Sequence, residues 1–104
     1  MKVPVLMRLR SRYQNELVQD ARLRDHLAVI ATVNQAIGEG KYPFQVVRIL
    51  ANLSENQWIQ AITGAVKHCK GEDEIVAFFF LSSLREGLRP EGVNEASQDD
   101  VQGG

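Results

Sequence analysis

Two local rules place a helix start at the same residue, and no other stretch of the chain is so restrictive. Ser54-Glu55-Asn56-Gln57 has the spacing of a capping box, in which the Ser hydroxyl accepts a free backbone N–H and the Gln side chain reaches back to the cap. With Ser54 as N-cap, Leu53 and Trp58 take the two positions of a hydrophobic staple. The helix that follows presents Trp58, Ile59, Ile62, Ala65, Val66 and Cys69 at helical spacing on one face. Gly64 weakens it slightly. Lys67, His68 and Lys70 suit the negative end of the helix dipole, and Gly71 is a natural stop.

Upstream, residues 1–10 read as a flexible basic arm. Pro4 disfavours helix around it, and Leu9 alternates with Arg8 and Arg10. Ser11-Arg12-Tyr13-Gln14 again has capping-box spacing, so a helix is expected from Ser11 to about Gly38, with a break possible near Asp20. Within it Leu23, Leu27, Ile30, Asn34 and Ile37 follow a 4, 3, 4, 3 spacing. That stripe reads either as a short heptad seam, with Asn34 fixing register, or as one face of a core helix. Gly38-Glu39-Gly40 ends the segment, and Pro43 suits the first turn of a second helix, Phe44 to Asn52, expected to bury Phe44, Val47 and Leu50.

Downstream, Glu72-Asp73-Glu74 places acids where a helix start favours them. The apolar run Ile75 to Leu81 allows a buried strand or a buried helix. No second convincing strand exists to pair it, which favours a helix to Glu86, closed by Gly87. From Arg89 the chain is polar, acidic and almost without large side chains, the composition of a disordered tail. At 104 residues the chain is one domain. The expectation is an all-α, compact bundle of about four helices over residues 11–88, with the arm at 1–10 and the tail at 89–104. Leu23, Leu27, Ile30, Phe78, Phe79 and Phe80 are many large groups for one small core, so a homodimer is expected.

Charge adds a second constraint. The formal net charge is only −1, so no bulk attraction to nucleic acid follows. The front is nevertheless basic (Lys2, Arg8, Arg10, Arg12, Arg22, Arg24) and the back acidic, a pattern of ordinary solvated charge, of head-to-tail contacts or of a polyanion-facing end. With one cysteine no intrachain disulfide can form, and a reducing, cytoplasmic setting is expected. Arg8 and Arg10 cut short the initial apolar stretch, so no secretory signal is read.

An enzyme reading fails by inventory. His68 and Cys69 are adjacent and diverge by about 100° on a helix, so they do not make a nucleophile–base pair. No zinc spacing and no phosphate-cradling glycine loop occurs. No catalytic residue, metal site or cofactor is expected. The segment Val46 to Val66 has helix–turn–helix form, with Glu55, Asn56, Gln57 and Gln60 on the leading turns of its second helix, or it is a plain αα corner. That second helix lacks Arg or Lys until Lys67, and phosphate contacts dominate DNA affinity. Lys2, Arg8, Arg10 and Arg12 are therefore the expected DNA-binding residues.

The stretch Leu50-Ala51-Asn52-Leu53-Ser54-Glu55-Asn56-Gln57-Trp58-Ile59-Gln60 resembles the central region of FlhD, a subunit of the bacterial flagellar master regulator, whose relatives are also carried by conjugative elements. Cys69 falls on the family's cysteine without a gap, and the Leu27–Ile37 segment resembles its dimerising helix after an insertion or deletion near 38–44. The resemblance covers about a third of the chain. It implies an all-α homodimer that joins an FlhC-like, zinc-carrying subunit to activate transcription at a promoter. It also implies that Cys69 lies near the dimer axis, where an inter-subunit disulfide can form. Beyond Cys69 the chain departs from the family, and no DNA-contact residue carries over. Leu23, Leu27, Ile30, Asn34, Ile37, Cys69, Phe78 and Phe79 are the expected dimer or partner interface. The alternative reading is a small helical adaptor or antiactivator that binds a protein partner without DNA. Neither reading involves a membrane.

Overall fold

In a computed structural model, residues 2–87 are described, and all their regular structure is helical: α1 (Pro4–Glu16), α2 (Leu23–Gly38), α3 (Phe44–Ala51), α4 (Glu55–His68) and α5 (Glu72–Gly87). The tail expected at 89–104 lies outside the described residues. The count is five, against the four or so expected, because the turn at 17–22 divides the first long segment and the supposed arm joins its front half. Residues 1–10 are not an extended arm from Pro4 onward. Pro4 stands in the first turn of α1, where its missing N–H would have no helical partner anyway. Val3, Leu6 and Leu9 are fully buried and Tyr13 nearly so. Ser11 is an exposed mid-helix residue, not an N-cap.

Asp20 organises the break. Its carboxylate accepts from the backbone N–H of Arg22 at 3.0 Å and from the Arg22 guanidinium at 3.0 and 2.9 Å. These bonds hold the carboxyl below its usual range. The chain then enters α2, the helix against which α1, α4 and α5 all pack. Val29, Ile30, Val33, Ala36 and Ile37 form its buried face. Its end is a Schellman motif: Lys41 N–H donates to Ala36 O at 2.9 Å and Gly40 N–H to Ile37 O at 3.2 Å. Gly40 sits at φ 73°, the left-handed conformation that motif requires.

The α4 start is as expected. Gln57 N–H donates to Ser54 Oγ at 3.1 Å, and Ser54 N–H to Gln57 Oε1 at 2.8 Å. Trp58 is fully buried, donates Nε1–H to Leu50 O at 3.1 Å, and stacks on Phe79 with centroids 5.6 Å apart. The 72–86 run is helix, not strand. Gly64 of α4 lies under the Phe78 ring of α5, and a Cβ there would meet Phe78 Cζ at 3.0 Å. The short α3 rests on α5. It buries Val46, Val47 and Leu50 but leaves Phe44 63% exposed, contrary to expectation. With α5 as its one well-packed neighbour, only one side of α3 is covered, and Phe44 is off that side.

Candidate functional site

The expected interface residues divide in the structure. Ile30, Ile37 and Phe79 are core residues, buried among the helices of this one chain. Leu23, Leu27, Phe78 and Cys69 are half-buried and pack against that core, and Asn34 is half-buried. Five helices, instead of four and an arm, absorb the large groups that had suggested a crowded core. Cys69 ends α4, its Sγ 3.6 Å from Glu74 O. Burial and the nearby Glu74 carboxylate push its thiol up, away from the reactive thiolate.

The expected DNA-binding residues are exposed but do not form one patch: Arg8 and Arg12 share a face of α1, and Arg10 lies on the other side. At about 100° per residue, Arg8 and Arg10 point roughly 160° apart around α1. Arg12 is engaged, Nε with Glu16 at 3.3 Å and a terminal nitrogen with Glu55 at 3.1 Å. Lys2 precedes the helix. The leading turn of α4 is likewise occupied. Glu55 holds Arg12. Gln57 uses its carbonyl on the Ser54 cap and its amide on Glu86 at 3.1 Å. Asn56 and Gln60 remain on the surface.

The feature that the sequence reading missed lies on α5. In its second half the polarity is inverted. Ser82 and Ser83 face the core at 7% and 0% exposure, while Leu81 and Leu84 stand out at 63% and 43%. Ser83 meets its inward position by donating to Phe80 O at 2.7 Å. Ala77, Leu81 and Leu84, spaced 4 and 3, form one outward stripe. Beside it a groove of about 350 Å³ is lined by Lys41, Tyr42, Asp73, Val76, Ala77, Phe80 and Leu81. Tyr42 forms its wall, with its hydroxyl donating to Val76 O at 2.9 Å. The signal was present as the leucine spacing, but a run as apolar as Ile75–Leu81 hides which side faces inward.

Among the described residues no three His, Cys, Asp or Glu side chains gather as metal ligands, and no helix is long and apolar enough to cross a membrane. No protein-family model, no curated protein and no solved structure matches the chain. What the surface offers is an apolar stripe and groove with charged ends, suited to holding another polypeptide.

Proposed function

We propose that the protein is a non-catalytic helical adaptor that works by docking the outer face of α5 against protein, first as a homodimer and then within a larger assembly. The inverted polarity of α5 carries this reading. Leu81 and Leu84 are exposed although buried positions one residue away are filled by serine, and an apolar stripe left in water at a cost to solubility is the usual mark of an interaction surface. The α1 arginines, split between two sides of the helix with Arg12 held by Glu16 and Glu55, and the engaged leading turn of α4 favour protein over DNA as the direct contact.

The more specific form of the proposal is the one implied by the resemblance: an FlhD-like subunit that reaches promoter DNA through an FlhC-like partner. Here the DNA contact falls to the partner, in keeping with the lack of Arg or Lys at the start of α4. The test is co-expression with the proteins encoded beside this chain, followed by co-purification and a mobility-shift assay on the neighbouring promoter. The adaptor reading expects a stable complex that Leu81→Glu disrupts. A shift only with the partner present supports the regulator form. A shift by this chain alone would reverse the argument and return DNA contact to α1 or α4.

A further inference from the structure

We infer that a second copy of this chain covers the Ala77–Leu81–Leu84 stripe, the two α5 helices pairing antiparallel about a two-fold axis close to Leu81. This rests on the homodimer in the proposed function and specifies its geometry. Charge chooses the direction. The first turn of α5 carries Glu72, Asp73 and Glu74, and its last turn carries Arg85 beside Glu86, whose carboxylate faces α4 and accepts from the Gln57 amide. A parallel pair would set the two acidic turns side by side. An antiparallel pair sets each acidic turn beside the other copy's Arg85, and opposes the helix dipoles favourably. At about 100° per residue, Glu74 and Arg85 lie on the same flank of the apolar stripe. In antiparallel helices like flanks meet, so Arg85 comes within reach of the partner's Glu74.

Size also fits. With the axis between Phe80 and Leu81, the small Ala77 lies opposite the partner's Leu84, and Leu84 opposite the partner's Ala77. The 4, 3 spacing of the stripe is that of a helix–helix seam, in which large knobs enter gaps left by small residues. Ala77 also lines the apolar groove beside Tyr42, which leaves room for the incoming leucine. The interface is isologous, so each favourable contact occurs twice.

The experiment uses the full chain. Sedimentation equilibrium is expected to show a dimer, and Leu81→Glu, which sets two carboxylates facing across the axis, weakens it by about a hundredfold with unchanged helical circular dichroism. In a Cys69→Ser background, mild oxidation of mixed Ala77→Cys and Leu84→Cys proteins gives a cross-linked heterodimer, while neither protein cross-links alone. Self-cross-linking of Ala77→Cys overturns the antiparallel arrangement. A dimer that survives both Leu81→Glu and Leu84→Glu overturns the α5 interface and leaves the homodimer standing on another face. A chain that stays monomeric at about 100 µM overturns this inference and the homodimer together. It leaves the stripe to a different protein or to residues 88–104, and the co-purification experiment still decides the adaptor reading.

Discussion

Tyr42 shows how one side chain ties a loop to the core. It is 5% exposed, its hydroxyl donates to a carbonyl of α5, and burial pushes its phenol from 10.0 up to about 12. The neutral phenol is thus favoured by folding. Below pH 10 both states are protonated and this contribution is intact. As pH rises from 10 through about 12 the unfolded chain ionises first, and the contribution is lost. At about pH 11 the loss amounts to about 1.4 kcal/mol. Tyr42→Phe is expected to cost about 1 kcal/mol near neutrality and to flatten the alkaline decline. Urea unfolding at neutral pH and near pH 11 measures both, and parallel declines for the two proteins would exclude Tyr42 as the source. Ser54 is a simpler case. It caps α4 from an exposed position, so Ser54→Ala removes a cap and little packing. The expected cost is about 1 kcal/mol, read as a lowered urea midpoint with an unchanged slope.

Among the elements, α1 departs furthest from a reading of the sequence, and its removal has the largest expected effect. Deleting residues 1–10 takes away Val3, Leu6 and Leu9, all fully buried. At about 1.5–3 kcal/mol each, that is about 4.5–9 kcal/mol, comparable to the whole stability of a small domain. The truncated chain should be largely unfolded by circular dichroism, whereas a dispensable arm would leave the spectrum intact. The segment was hard to read because Pro4 breaks a helix interior but suits a first turn, and because Arg8, Arg10 and Arg12 interrupt the apolar stripe. The stripe was there in Val3, Leu6, Leu9 and Tyr13 at helical spacing. Local chemistry was legible where it closes on itself: the Ser54 cap, the Gly40 stop and the break near Asp20 all depend on neighbours within a few residues. Which face of a helix turns inward depends on the other helices. Phe44 and Leu81 therefore emerged exposed, the tight seat of Phe78 over Gly64 went unseen, and the α5 stripe could not be separated from core.

At the scale of the whole molecule, α2 is the common partner of α1, α4 and α5, while α3 reaches the rest chiefly through α5. No group of helices owns a separate core, since one cluster runs from Val3 through Ile30 and Trp58 to Phe79. Loss of any one of α1, α4 or α5 uncovers α2, so partial unfolding exposes apolar surface without releasing the whole chain's entropy, and intermediates are disfavoured. Trp58 offers a direct check, because it is the single tryptophan and sits fully buried against Phe79. Its fluorescence reports the centre of the core, while far-ultraviolet circular dichroism reports all five helices. Followed in urea at one protein concentration, the two signals should give superimposable transitions with one midpoint and one slope. A dichroism change that precedes the fluorescence change would mean that an outer helix, with α3 the first candidate, leaves before the core opens. A fluorescence change that comes first would mean that the stack of Trp58 on Phe79 loosens inside a still-helical chain. Coincidence is the expected result, because the residues around Trp58 are also the ones that hold α2, α4 and α5 together.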